Sequence, residues 1–371
     1  MFTVFLIAGA RPNFMKIAPL YRESRNHPGA ARRIVHTGQH YDYDMSQAFF
    51  EDLELPAPDH FLESGSGSHA VQTARIMTAF ETLCETHRPD LAVVVGDVNS
   101  TLACSVTAKK LLIDVAHVEA GLRSFDLTMP EEINRRVTDA VSDLFFVTEE
   151  SGVTHLRREG KDPERIFLVG NVMIDNLFHQ LNRLERMDPG RFASFPVKRR
   201  FPEYAFLTLH RPSNVDSREA LQDIAGALND IASNHPILFP VHPRTRNSLQ
   251  RFDIRLSDRI APLPPLGFTE ALFLWKDAVM VLTDSGGLQE ETSALGIPCL
   301  TLRKNTERPV TLTQGSNVLA GTTRASILEA YHKVLKRRGE TFPKPPLWDG
   351  NASARIWGAL SKYYGFGGER A

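Results

Sequence analysis

Short β-branched apolar runs alternate along the first half of the chain with stretches of helical periodicity. The runs cover residues 3–8, 34–36, 91–95, 115–118, 144–147 and 166–169. This alternation predicts a parallel α/β sheet with helical crossovers. A basic, proline-flanked stretch at 195–202 precedes a second series at 205–209, 237–241, 279–283 and 299–302, which predicts a second domain of the same class. The first domain is expected to end near Gly170-Asn171, where a strand gives way to a helical pattern over 172–184. The predicted organisation is therefore 1–172, 173–350 and a closing segment 351–371. No internal repeat or low-complexity block interrupts it. In open parallel sheets, ligands bind outside the carboxyl ends of the strands, so the residues directly after these runs are the candidates for chemistry.

Length agrees with that division. A chain of 371 residues exceeds one ordinary domain of about 100 to 200 residues and fits two. Apolar residues make up 42% and charged residues 23%, enough to bury a full core in each half. Lys and Arg number 43 against 44 Asp and Glu, so no general field draws in nucleic acid or an anionic membrane. Any phosphate must be held by a local cluster, which points to a small ligand. The three cysteines, Cys84, Cys104 and Cys299, are far apart and form no CxxC, which argues against a disulfide framework or zinc knuckle and for a reducing cytoplasm. The apolar start lacks a basic flank and runs into Gly9-Ala10-Arg11-Pro12, so it reads as a first strand rather than a signal peptide. No segment approaches the roughly 20 apolar residues of a membrane span.

Candidate chemistry gathers at the strand ends. After the first run, Gly9-Ala10-Arg11-Pro12-Asn13-Phe14-Met15-Lys16 combines a glycine turn, a helix-opening proline and two cations, Arg11 and Lys16, a plausible grip for a diphosphate or simply a solvated turn. The third run ends Gly96-Asp97, where Asp97 either caps the next helix or acts as a base. His117-Val118-Glu119-Ala120-Gly121-Leu122-Arg123 places an acid and a guanidinium at the following strand end. Pro130-Glu131-Glu132 then opens a helix whose dipole alone would explain its acids. The dipole does not explain why acids recur at three successive strand ends, Asp97, Glu119 and Glu131. Carboxylates sharing a cleft push their pKa values apart, which suits acid/base work. His117 and Glu119 suggest a zinc deaminase only superficially, because no cysteine pair accompanies them. In the second half, Asp284-Ser285-Gly286-Gly287 leads from a strand directly into a helix, leaving backbone N–H groups for an anion. His210-Arg211 and His242 occupy matching strand ends.

Taken in order, these motifs resemble the non-hydrolysing UDP-N-acetylglucosamine 2-epimerase family, most closely over the strings 117–124, 130–135, 284–291 and Thr306-Glu307-Arg308-Pro309. The resemblance implies two Rossmann-like domains facing an interdomain cleft, the GT-B fold, with UDP held mainly by the C-terminal domain and a C-terminal helix crossing back to the first. It implies Asp97, Glu119, Glu131 and His210 as catalytic groups. Arg11, Lys16, Arg135, His242, Ser285, Gly286, Gly287, Glu291 and Arg308 are implied as contacts to UDP or the sugar. The family's chemistry is elimination of UDP to a 2-acetamidoglucal and its re-addition, with no metal and no cofactor. A homodimer acting on a UDP-amino sugar is implied, with no nucleic-acid or membrane partner.

Several positions depart from the family pattern. Ala10 and Asn13 stand where Thr and Glu are usual, Pro212-Ser213 replace Arg-Glu after His210-Arg211, and the loop 124–129 is shorter. Ala271 replaces an aromatic of the uracil pocket, with Phe268 and Phe273 nearby. Val71 replaces the Arg that precedes Gln72 in members activated by a second substrate molecule. The strings 9–16 and Thr37-Gly38-Gln39-His40-Tyr41-Asp42 are also similar to relatives that epimerise UDP-2,3-diacetamido uronates. The rival classes are a hydrolysing 2-epimerase, a GT-B glycosyltransferase and a non-catalytic nucleotide-sugar sensor; the last two have little use for three carboxylates.

Overall fold

A computed structural model of the chain describes residues 1–38, 50, 52–337 and 339–366. It divides into two compact units, Met1–Asn176 with Pro346–Ala371, and Leu177–Pro345. Residues 39–42 of the string that begins at Thr37 lie outside the described residues.

The first unit is built on a parallel sheet of β1 (Phe2–Ala8), β2 (Ala30–His36), β3 (His60–Phe61), β4 (Leu91–Val95), β5 (Asp114–Val118), β6 (Leu144–Val147) and β7 (Ile166–Leu168), in the order β3-β2-β1-β4-β5-β6-β7. Period-two alternation sends successive residues of β1 to opposite faces. Val4, Leu6 and Ala8 join Phe14, Ile17 and Leu20 of the helix Arg11–Glu23. Phe5 and Ile7 join Ile76 and Phe80 of the helix His69–Thr86 and Ala103 and Cys104 of the helix Asn99–Lys110. A sheet covered on both faces has continuously apolar strands, the pattern legible in the sequence.

The C-terminal helix Ala352–Tyr364 packs on this unit. Ile356, Trp357 and Leu360 enter the same core as β1, and Trp357 Nε1 donates to Leu20 O at 2.8 Å. Its N-terminus is held by Asp175, whose carboxylate accepts from the N–H of Ala352 at 2.9 Å and of Ser353 at 2.6 Å.

The second unit has a parallel sheet of β8 (Ala205–Thr208), β9 (Ile237–Pro240), β10 (Ile260–Leu263), β11 (Met280–Thr283), β12 (Cys299–Thr301) and β13 (Asn317–Leu319), in the order β10-β9-β8-β11-β12-β13. The helices Arg218–Ala232 and Arg324–Lys336 cover it with Ile224, Leu228 and Ile231 and with Ile327, Tyr331 and Val334. The α/β class with two Rossmann-like domains is thus what the chain adopts. In each sheet the order reverses direction between the first and fourth strands, a topological switch point that opens a crevice at the carboxyl ends. In the first unit the crevice lies between β1 and β4, and in the second between β8 and β11. No helix among the described residues is long and apolar enough to cross a membrane.

Candidate active site

At the first switch point the β1 turn and the β4 turn are clamped together. Asn13 Oδ1 accepts from the N–H of Gly9 at 3.2 Å and of Ala10 at 2.9 Å, while its Nδ2 donates to Val95 O at 3.0 Å. The Asn13 departure therefore has a local reason: the amide both closes the turn and reaches the neighbouring strand. Gly9 is required here, because a Cβ would lie 1.9 Å from Ser100 Oγ.

The candidate acids are drawn into ion pairs. Lys16 Nζ contacts Glu119 Oε2 directly, with both side chains largely buried. Arg135 contacts Asp97 Oδ2 through Nη2 and Glu132 Oε2 through Nη1, the latter at 2.8 Å. Asp97 does not cap the helix after it. The N-cap is Val98, and the Asp97 carbonyl accepts from Asn134 Nδ2 at 2.9 Å. Glu119 is a non-glycine residue at φ 75°, a conformation that costs on the order of 1 kcal/mol or more and concentrates at functional sites. The strain has a visible cause: the N–H groups of Glu119 and Ala120 both donate to Phe146 O, at 3.0 and 3.1 Å. The carboxylate leaves the strand sideways, toward Lys16.

The two acids after Pro130 separate by helical geometry. Glu131 is exposed on the first turn of the helix Pro130–Val141, and Glu132 points inward with no exposure. Burial acts to raise the Glu132 pKa, but donors from Ser124 N (2.8 Å), Ser124 Oγ (3.0 Å) and Arg135 outweigh it and hold the carboxylate below its ordinary range. Arg135 is thus part of the carboxylate scaffold. Arg11 is exposed in the first turn of its helix.

At the second switch point, fully buried Asp284 organises the β8 turn. It accepts from the N–H of His210 at 3.0 Å and of Arg211 at 2.8 Å and from Asn214 Nδ2 at 3.2 Å, and it pairs with His210 Nδ1 at 2.9 Å. Burial tends to raise its pKa, yet His210 and these donors lower it overall. The His210 ring is fixed through Nδ1 and remains 44% exposed, so Nε2 is the atom it offers to a ligand. His242 caps the helix Pro243–Arg251 through Nδ1 at 3.2 Å from Arg244 N. Its pKa is lowered by burial and by the neighbouring His210.

Ser285 is the N-cap of the helix Gly286–Leu295, and its side chain makes no capping hydrogen bond. A Cβ on Gly286 would meet only Glu307 Oε1, at 3.3 Å. Glu307 is bound by Arg303 Nη2 at 2.8 Å. Although burial opposes ionisation, Arg308 and Arg303 hold Glu307 down at about 2. Arg308 Nε donates to Glu290 Oε1 at 2.5 Å. Glu291 is buried one residue on, and burial followed by repulsion from Glu290 pushes it up to about 8. Phe273 is stacked on Phe192 at 4.7 Å with Lys198 Nζ 3.8 Å from its ring centroid. That leaves half-buried Phe268 as the more available aromatic beside Ala271. Gln72 is buried and bound to Asn99 at 2.8 Å, whereas Val71 is 44% exposed. Among the described residues, no group of three His, Cys, Asp or Glu is gathered to hold a metal.

Within each unit, then, the structure joins Lys16 to Glu119, Arg135 to Asp97, and His210 to the start of the Ser285 loop through Asp284. It leaves Glu131 exposed. Sequence reasoning assigns Glu132 only a helix-dipole role and Asn13 and Asp139 none, and it meets Asp284 only as part of a string, although its position ahead of Ser-Gly-Gly is the available signal.

Comparison with known proteins finds matches over nearly the whole chain. The family model for UDP-N-acetylglucosamine 2-epimerase matches residues 22–361. The UDP-N-acetylglucosamine 2-epimerase of Methanocaldococcus jannaschii is 40% identical over 359 residues, covering 95% of this chain and 96% of that protein. The UDP-2,3-diacetamido-2,3-dideoxy-D-glucuronate 2-epimerase of Pseudomonas aeruginosa is 37% identical over 367 residues, covering 97% and 99%. The crystal structure of the M. jannaschii UDP-GlcNAc 2-epimerase in complex with UDP-GlcNAc and UDP superimposes with a TM-score of 0.86 at 38% identity, covering 97% of this chain and 100% of that one. A family model matched over residues 22–361 and a 40% identical relative covered almost from end to end show that the chain belongs to the UDP-N-acetylglucosamine 2-epimerase family.

Proposed function

We propose that the protein interconverts UDP-GlcNAc and UDP-ManNAc without net hydrolysis. The observation that carries this reading is the pairing of two strand-end carboxylates, Asp97 and Glu119, each with its own cation, at the switch point of the first sheet. A glycosyltransferase needs one base at most, and a sensor needs none. An epimerase must remove and return a proton at C2 on opposite faces of the sugar.

In this reading one carboxylate takes the C2 proton, the C1–O bond to UDP breaks, and a C1=C2 double bond forms. The products are 2-acetamidoglucal and UDP. Protonation of C2 from the other face and return of UDP oxygen to C1 complete the inversion. Asp97, Glu119 and Glu131 are assigned to this proton work, with Arg135 and Lys16 holding the acids. The diphosphate is assigned to Ser285, Gly286 and Gly287, with His210, His242, Arg11 and Arg308 stabilising the departing anion and Glu291 meeting the ribose. Preorganised charge of this kind usually lowers a barrier more than any other single effect in an active site. The chemistry calls for no metal and no nicotinamide. Residues 1–172 carry the sugar chemistry and 173–350 the nucleotide, in a homodimer of the cytoplasm, where buried free Cys84, Cys104 and Cys299 stay reduced.

Incubation with UDP-GlcNAc in D2O, followed by NMR at the anomeric and C2 protons, tests the proposal. The expected result is a second UDP-sugar with deuterium at C2 in both epimers. Free UDP with free sugar would instead establish hydrolysis, and an inert UDP-GlcNAc with an epimerised UDP-2,3-diacetamido uronate would establish the second reading. The 37% identity to the P. aeruginosa enzyme makes that uronate the substrate to run alongside.

A further inference from the structure

His117 and Asp139 form a fully buried pair that the reaction scheme above does not use. His117 lies on β5, two residues before Glu119. Its Nδ1 faces Asp139 Oδ1 at 2.6 Å and its Nε2 faces Gly96 O at 2.9 Å. Both ring nitrogens meet acceptors. Gly96 is the residue before Asp97, so one end of the ring sets the turn that carries the first carboxylate.

Asp139 holds the other turn directly. Its Oδ2 accepts from Gly121 N at 3.0 Å and from Arg123 Nη1 at 2.7 Å. Arg123 is itself gripped by Glu159, Nε to Oε1 at 2.8 Å and Nη2 to Oε2 at 2.6 Å. The backbone there has little room to relax, since Gly96, Glu119 and Gly121 all have left-handed φ values of 68°, 75° and 79°. A Cβ on Gly121 would sit 2.5 Å from Gly152 O. Asp139 also shares the helix Pro130–Val141 with Asn134 and Arg135, which bind the Asp97 carbonyl and carboxylate. A single helix therefore fixes both acid-bearing turns.

Packing alone gives no need for this arrangement. Replacing a buried ionic cluster with apolar residues of similar volume is often neutral or stabilising, and the strand neighbours of His117 are the buried apolar residues Val115, Ala116 and Val118. We infer that His117 and Asp139 are positioning residues, which hold Asp97 and Glu119 at the separation that proton transfer on the two faces of the sugar requires. The inference rests on the epimerase reading.

The experiment is steady-state kinetics of the full-length Asp139→Asn variant beside wild type, with UDP affinity by calorimetry and C2 deuterium entry by NMR. Asparagine keeps an acceptor for Gly121 and Arg123 but loses the charge that orders the His117 ring. The expected result is a fall in kcat of roughly 10- to 100-fold, the scale of a misplacement near 1 Å. KM and UDP affinity should stay within about twofold, and deuterium entry should fall in step with kcat. His117→Gln, which can still donate to Gly96 O but drops the link to Asp139, should repeat the pattern and serves where Asp139→Asn fails to fold. Variants that lose thermal stability while each folded molecule keeps wild-type kcat would overturn the positioning role and leave the epimerase reading intact. A wild type silent toward both UDP-GlcNAc and the uronate would overturn that reading, and this inference with it.

Discussion

At the carboxyl end of the first sheet, Glu119 has Lys16, Asp97 has Arg135, and Asp139 has His117 and Arg123. At the corresponding end of the second sheet, Asp284 binds backbone N–H groups and His210, while Glu291 has Glu290 as the charged group acting on it. The difference concerns what each end leaves open to a ligand. A carboxylate gripped by a cation from another element is held in a set position. A carboxylate consumed by backbone donors is scaffold, and what it leaves open is the imidazole of His210 and the amide-lined start of the helix Gly286–Leu295. In the proposed reaction the first end does the proton work and the second receives the anion.

The largest effect that tests this contrast is expected at the first end. Asp97→Asn and Glu119→Gln should each lower turnover on the order of 100-fold or more, the range of a positioned acid or base, with UDP affinity nearly unchanged. Near-normal epimerisation by both amides would remove the distinction between the two strand ends.

A smaller effect, read on stability, is expected for Asp284→Asn. The amide offers one acceptor where the carboxylate serves three donors and His210, and hydrogen bonds to a charged group contribute about 1.5 to 3 kcal/mol. A loss of about 2 kcal/mol in urea unfolding at neutral pH is expected. Because the folded pKa of Asp284 is lowered, its stabilisation is fully present above the unfolded carboxylate value and disappears as pH falls through the folded one. The gap between wild type and variant should therefore close in acid.

Glu291 gives the opposite sign. Its folded value is raised from 4.5 to about 8, so between those limits the folded state holds a proton that the unfolded state has released. Stability then falls as pH rises through that window, by at most about 1.4 kcal/mol per unit. Glu291→Gln should remove this slope, and its stability relative to wild type should climb from pH 5 to pH 8. A flat difference would mean that Glu291 is ionised in the fold.

The same physics decides what is legible in the sequence. Every apolar run proposed as a strand overlaps an observed one, because strands buried on both faces are continuously apolar. The strands that the pattern misses, β3, β10 and β13, all lie at sheet edges. An edge strand pairs on one side only and tolerates breaks in pattern, including Pro262 within β10. The strand-end turns are readable because glycines and chemistry-bearing residues are contiguous there. The pairings are not, since Lys16 and Glu119 lie 103 positions apart and His117 and Asp139 lie 22 apart on different elements. Asp139 sits within a helix between Thr138 and Ala140, where nothing local marks it as a hub. Nor can spacing alone separate Glu131 from Glu132, since both open the same helix; only their burial distinguishes them.

The smallest expected effects come from comparing helix N-termini within the second unit. Ser217 accepts from Ala220 N and Thr323 from Ser326 N, each side chain satisfying one of the N–H groups that a helix start leaves unpaired. Ser285 makes no such bond. Thr323→Ala should therefore cost about 1 kcal/mol of stability, the usual value of an N-cap, and leave UDP affinity unchanged. Ser285→Ala should cost a few tenths of that at most in the free protein, since no capping bond is lost, and should weaken UDP binding measured by calorimetry by roughly one hydrogen bond to a charged oxygen. Stability measured with saturating UDP sharpens the test, because ligand binding adds to stability through its affinity. The Thr323 variant should gain as much from UDP as wild type does, and the Ser285 variant should gain less. Equal gains would show that the Ser285 side chain does not meet the diphosphate, and would leave recognition there to the glycine amides alone.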